Sequence, residues 1–415
     1  MKKLFVCLFA VSMALVLVGS AVAADWSFYG SARTGTWWLS RSGDTGTIYS
    51  NSALSGNGTG DSDLDMNYSL QGNARVGAKV RSGDISGRFE YGASGGTANI
   101  RILKGVWDFG AGEFTVGQDY TPISWLHYSN QVLLGDEGML GFGLMYTGRK
   151  PMLQLKYGGF KVALIKPDVI SDPKELGPQA AIYGGEFMNL AYTDMDIDVV
   201  LPKIEVAYHY AADNFFVDVG AGFQSHDYTY YYSGQHPEAK LRNTEQRASL
   251  TSWVVGIGGG YNFDRGYAKL QLNYDTNGAA YGLARYASAG ALVFESPQTL
   301  NVGPYTTYLN GDTEFKDVNR FGAVLTLGGK INNIVGVELG AGMQRYDNDY
   351  LDLENTVFTT YLQVPFTVAN NVSITPEVGY IDWGDIDGTS PTGKVSATDD
   401  VGDAAYFGIS SKIHF

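Results

Sequence analysis

The amino-acid sequence predicts an all-β chain closed into a transmembrane antiparallel β-barrel of about 16 strands. Three observations carry that expectation. Composition is the first: 54 Gly, 28 Tyr and 20 Phe stand beside only 17% charged residues and 12 Pro in 415 residues. Such a chain is rich in strands and turns. The second is that no internal apolar run approaches the roughly 18 residues of a spanning helix. The longest runs from Leu4 to Val18 and is broken by Ser12. The third is a period of two from Asp63 to Arg81. Leu64, Met66, Tyr68, Leu70, Gly72, Ala74, Val76, Ala78 and Val80 alternate there with Asp65, Asn67, Ser69, Gln71, Asn73, Arg75, Gly77 and Lys79. A strand this long, greasy on one face and wet on the other, fits a sheet closed on itself with lipid outside and water inside. A secreted β-sandwich would need more volume than Gly72, Ala74 and Ala78 supply to a dry core.

Taken from the N-terminus, the first element is a leader. Lys2 and Lys3 precede the apolar run, and Ala21-Val22-Ala23 offers the small residues of a peptidase site before Ala24, so residues 1–23 read as a secretory signal peptide. Cys7, the single cysteine, lies within it, which excludes thiol chemistry from residues 24–415. The formal net charge of −14 becomes more negative once Lys2 and Lys3 are removed, a balance that repels nucleic acid. The barrel then begins with Trp26 to Leu39, followed by the long alternation at Asp63 to Arg81. Ile85 to Gly92, Asn99 to Phe109, Glu113 to Tyr120, Arg149 to Tyr157, Phe160 to Lys166 and Leu201 to Ala211 complete the first half. In the second half Val217, Val219, Ala221 and Phe223 alternate with Asp218, Gly220, Gly222 and Gln224 within Phe215 to Ser225. Gln246 to Phe263 and Tyr267 to Asp275 follow, then Val318 to Leu327, Ile334 to Tyr346, Thr356 to Val368, Val372 to Trp383 and Ala404 to Phe415.

Short turn signals separate every second pair, among them Ser82-Gly83-Asp84, Gly158-Gly159, Asp264-Arg265-Gly266 and Asn370-Asn371. The other connections are longer and polar, the asymmetry of an outer-membrane barrel. Two of them, Pro167 to Val200 and Thr276 to Asp317, are long enough for one more hairpin, so eighteen strands remain an alternative. Closure follows because a backbone in hydrocarbon must satisfy its own polar groups. Trp26, Trp38, Tyr68, Phe407 and Phe415 fall near strand ends, as interfacial girdles require. Parity turns Arg33, Arg75, Lys79 and Arg88 inward; Arg75 can also pair with Glu90 and brace neighbouring strands.

Arg101 to Pro122, reading RILKGVWDFGAGEFTVGQDYTP, resembles the signature of the Gram-negative general porins, and the final YFGISSKIHF from Tyr406 to Phe415 resembles that family's assembly signal. The resemblance implies a sixteen-stranded homotrimeric barrel whose third loop, about Thr121 to Tyr146, folds inward and narrows the pore. It implies that Asp136 and Glu137 face the basic wall, and it adds Arg101 to that wall; Gln118 stands where many relatives carry a basic residue. Facing rows of guanidinium and carboxylate would set up a transverse field favouring small hydrophilic solutes and ions. The implied function is a passive diffusion channel in the bacterial outer membrane, with outer-membrane lipids, solutes and ions as its partners. The alternative is a substrate-selective channel for sugars or anions such as phosphate. Acidic loops would give a mild cation preference at the mouth.

No catalytic site and no cofactor are expected. Gly92-Ala93-Ser94-Gly95-Gly96 spells a nucleophile elbow, yet a strand rather than a helix follows it. The five histidines lack metal-site spacing. Asp61-Ser-Asp63-Leu-Asp65 and Asp194-Met-Asp196-Ile-Asp198 open like calcium loops but carry Met66 and Val199 where Gly is required. Such acidic loops could hold divalent cations loosely.

Overall fold

The computed structural model describes residues 24–42, 62–94, 97–133, 136, 138–168, 192–199, 201–232, 245–283, 293–295, 299–302, 305–308, 314–348, 353–388 and 402–415. The leader expected at residues 1–23 lies outside them, as does Glu137. One antiparallel sheet of 20 segments runs through the chain, and four of its strands each consist of two segments. The result is a closed barrel of 16 strands. In chain order these are β1 (Asp25–Ser42), β2 (Ser62–Leu70 with Arg75–Ser82), β3 (Ile85–Ser94), β4 (Thr97–Asp108), β5 (Glu113–Tyr120), β6 (Arg149–Tyr157), β7 (Phe160–Ile165) and β8 (Tyr192–Asp198 with Lys203–Ala211). Then come β9 (Phe215–Tyr232), β10 (Glu245–Phe263), β11 (Gly266–Thr276), β12 (Asn319–Lys330), β13 (Gly336–Asn348), β14 (Leu353–Gln363 with Phe366–Ala369), β15 (Val372–Asp382 with Ile386–Gly388) and β16 (Asp403–His414).

Neighbours in sequence pair with one another, and β16 returns to β1 in register from Ser31↔His414 to Ser42↔Asp403. The Gly30 and Phe415 backbones exchange two hydrogen bonds, 2.7 and 3.1 Å, at the end of that seam. No edge is left to recruit another strand. The extra hairpin allowed between Thr276 and Asp317 does not enter the wall. Val293–Glu295 pairs with Glu314–Lys316 and Thr299–Val302 with Tyr305–Tyr308, while β11 pairs directly with β12. Tyr192–Asp198 instead extends β8 along β9.

The oily face points out. Leu64, Met66, Tyr68 and Leu70 are 51–68% exposed, and their odd-numbered neighbours turn to the interior. Trp26, Phe28, Trp107, Tyr157, Tyr261 and Phe263 stand exposed beside the termini or the short turns. Trp26 and Phe28 stack at 6.3 Å, and Tyr261 stacks on Phe263 at the same distance. Such a belt suits a membrane interface.

Two local departures matter for the interior. The expected uninterrupted run from Asp63 to Arg81 is broken at 71–74, because Thr34 pairs with Leu70 but Ser31 pairs with Arg75. Four residues of β2 therefore face two of β1, and the Ala74 amide closes on the Gln71 carbonyl at 2.8 Å. Gly72 and Ala74 are thus part of a bulge rather than a lipid-facing stripe, and Ala74 is buried. Alternation survives because the slip is even. A second irregularity in β4 lies between the pairs Glu90↔Ile102 and Tyr91↔Ile100. It leaves Arg101 as the extra residue, so Arg101 and Lys104 both reach the interior despite their opposite parity. The connections opposite the short turns are also unequal: only residues 95–96 separate β3 from β4.

Candidate functional site

The described residues between β5 and β6, 121–133, 136 and 138–148, lie inside the barrel. Their attachment starts from lumen-facing carboxylates on distant strands. The Ile123 amide donates to Glu205 on β8 at 3.2 Å. His127 and Tyr128 reach Asp218 on β9 at 2.8 and 2.7 Å. The Asn130 amide and side chain reach Glu338 on β13 at 3.2 and 2.6 Å. The Val132 amide donates to Glu377 on β15 at 2.9 Å. Each carboxylate supplies the acceptors that an enclosed loop backbone needs. Burial and the Asp218 carboxylate push the Tyr128 phenol above its ordinary range, which keeps it a hydrogen-bond donor.

Packing supports the same placement. Ile123, Trp125, Tyr128, Met139, Phe142, Leu144 and Met145 join Trp37, Val254, Val324, Val357 and Trp383 of the wall in one buried cluster. The interior is therefore dry on this side, in contrast to the uniformly wet lumen that alternation suggests. Inward glycines make the room: a methyl on Gly258 would meet the Tyr128 hydroxyl at 2.4 Å, and one on Gly220 would meet Trp125 at 2.9 Å. Gly143, at φ +98°, lies so close to β12 and β13 that a Cβ would stand 2.4 Å from the Ala323 carbonyl oxygen. Gln271 and Asn273 donate to its carbonyl at 3.0 and 2.6 Å. A second insertion, the helical turn α1 (Gly278–Tyr281), buries Tyr281 against Glu205 at 3.2 Å.

The tip of the loop meets the basic strands. Asp136 pairs with Arg33, and with Lys412 of β16 at 2.7 Å. Asn73 in the β2 bulge donates to the Asp136 carbonyl, and Gln71 donates to the Val132 carbonyl at 2.9 Å. Just below, Glu90 is fully buried between Arg101 at 2.9 Å, Arg88 at 2.7 Å and Arg75 at 3.5 Å. Arg101 also reaches the Gly72 carbonyl at 3.1 Å and Asn73 at 2.8 Å. Lys79 lies 5.7 Å over the Tyr29 ring.

Arg33, Arg75, Lys79, Arg88 and Arg101 thus gather on β1–β4, with Asp136 brought to them. The charges are not two rows standing apart: Asp136 touches Arg33 and Lys412 directly. Gln118 bonds the Ile100 and Arg101 carbonyls at 2.9 and 3.3 Å and holds the β4 bulge rather than lining the cluster. Sequence reasoning missed Glu90 as a hub, the carboxylate row as loop anchors and the bulge as a dock. A signal for the anchors was present, since Glu205, Asp218, Glu338 and Glu377 share inward parity beside inward glycines. Among the described residues no group of three or more His, Cys, Asp or Glu is set to hold a metal, and Asp61 lies outside them.

No protein-family model and no curated protein matches the chain. Solved structures do. The outer-membrane channel DcaP of Acinetobacter baumannii superposes with a TM-score of 0.62 at 14% identity, over 95% of this chain and 99% of that one. An anion-selective porin from Comamonas acidovorans gives 0.55 at 12%, over 94% and 100%. The outer-membrane protein OmpT of Vibrio cholerae gives 0.53 at 13%, over 95% and 99%. With the closed seam, the oily belt and the enclosed third loop, this likeness gives the chain the fold of the bacterial outer-membrane porins.

Proposed function

We propose that the protein is a passive diffusion channel for small hydrophilic solutes and ions across the bacterial outer membrane, without enzymatic activity. The observation that carries the reading is the fixed loop: the described residues of 121–148 fill one side of the lumen and leave the β1–β7 side lined by charged groups that still reach water. Asp136, with Arg33, Arg75, Lys79, Arg88 and Arg101, forms the constriction, and Glu137, next to it in sequence, is assigned to it by the likeness to the general porins. Side chains locked by ion pairs hold the throat at a set width without a moving gate, and their charge favours polar solutes over apolar ones. The chain assembles as a homotrimer, a reading supported by the trimer form of OmpT of Vibrio cholerae. Liposomes containing the purified protein should swell in neutral sugars at rates that fall as the sugar grows. Protein-free rates for every sugar would overturn the channel reading.

A further inference from the structure

We infer that the diffusion path prefers anions, a conclusion that rests on the channel reading and names the solute class its throat admits best. Cross-strand register is the first observation. Lys79 of β2 stands opposite Arg88 of β3, and Arg88 opposite Lys104 of β4, so three bases form one row across adjacent strands. Lys156 of β6 likewise faces Lys161 of β7, and Arg33 faces Lys412. Like charges directly opposite each other destabilise a ladder. Asp136 bridges the Arg33–Lys412 pair; in the other two rows Arg88, Lys104 and Lys156 each have a carboxylate partner, while no described acid pairs with Lys79 or Lys161. A cavity of ≈ 570 Å³ opens on Lys79, Arg88 and Lys104 of the first row, and Arg81 with four acids, Asp25, Asp84, Asp108 and Glu113, supplies the rest of its charged lining.

The second observation is which charges reach water. The Arg75, Arg88, Lys104 and Lys156 side chains are 22–38% exposed, whereas Glu90 is fully buried. Lys79 is exposed and Lys161 partly so. The acids of the far wall, Glu205, Glu338 and Glu377, are at most 2% exposed and are already engaged by loop amides or side chains. Of the acids beside the basic rows, Asp119 pairs with Lys104 and Glu113 with Lys156. A permeating ion therefore meets Arg75, Lys79, Arg88, Lys104, Lys156 and Lys161 at contact range against two carboxylates paired within the rows that also reach water, Asp119 (16% exposed) and Glu113 (41%), while Glu90 and the far-wall acids act through intervening protein. In a narrow throat the nearest groups dominate, because Coulomb energy falls with distance and water screens the remainder.

Zero-current potentials across a planar bilayer under a KCl gradient test this. The expected sign is that of chloride permeation, with a chloride-to-potassium ratio of about two or more. Lys79→Glu with Lys161→Glu should move the ratio toward potassium, and Lys79→Gln with Lys161→Gln should move it part of the way. Both variants are compared at equal folded fraction, read from heat-modifiable mobility. Potassium preference in the native channel would overturn the inference, as would an unmoved potential in folded variants. Swelling in neutral sugars together with potassium preference would leave the channel reading intact and remove only the anion preference.

Discussion

Glu90 shows how one side chain sets the character of a wall. Its carboxylate sits among Arg75, Arg88 and Arg101 and accepts from the Tyr29 hydroxyl at 2.9 Å. Removing one member of a buried ion cluster strands the others, at a cost of about 3 kcal/mol or more. Glu90→Gln should therefore lower the thermal unfolding midpoint of the detergent-solubilised barrel; an unchanged midpoint would mean that water already screens the three guanidinium groups. Asp136 acts on the loop instead. Replacing Asp136 and Glu137 together by Ala frees Arg33 and Lys412, and single-channel recordings should show higher conductance or a shift toward anions. Unchanged conductance and reversal potential would take the loop out of the constriction. Parity alone located Arg33, Arg75, Lys79 and Arg88, because alternation reports which face a strand residue occupies. Arg101 needed the family likeness, since the bulge that turns it inward depends on register between two strands and leaves no mark on either one.

The loop from 121 to 148 depends on close backbone approach as much as on charge. Gly143 shows this most clearly, because any side chain there would collide with the Ala323 and Met343 carbonyl oxygens and would adopt a φ that costs L-residues about 1 kcal/mol or more. Gly143→Ala should lift this part of the loop from β12 and β13 and make single-channel currents noisier, while the barrel itself still folds. Quiet currents of native size would show that the contact is dispensable. The β2 bulge holds the tip of the loop through Gln71 and Asn73. From sequence this stretch reads as unbroken alternation, because a slip of two residues preserves parity while displacing four residues toward the lumen. Glu205, Asp218, Glu338 and Glu377 lie on inward faces by parity, which by itself does not say what they hold. Their partners are loop amides and side chains up to 245 positions away in the chain, and no local pattern encodes such pairings.

At the scale of the whole molecule, closure and membrane burial are coupled. The barrel shuts through β1 and β16, where the Phe415 ring covers Gly30 and the terminal backbone completes the ladder. Phe415→Ala leaves those backbone bonds possible but uncovers the seam, so the yield of heat-modifiable folded barrel should fall; an undiminished yield would show that backbone pairing alone suffices. The sites of the short turns and the outward stripe could be read from the sequence, since lipid imposes the same apolar face on every strand, whereas the choice between sixteen and eighteen strands is settled only by the direct pairing of β11 with β12. The dry side of the interior could not be read there, because it comes from a loop that fills the lumen and not from the strands themselves. The channel reading requires water to run through this barrel past a loop fixed inside it. Its most direct test is single-channel recording of the purified, folded protein in a planar bilayer. Discrete conductance steps are expected, with their size raised or their ion preference shifted toward anions when Asp136 and Glu137 are replaced by Ala. A bilayer that stays electrically silent with correctly folded barrel inserted would contradict it.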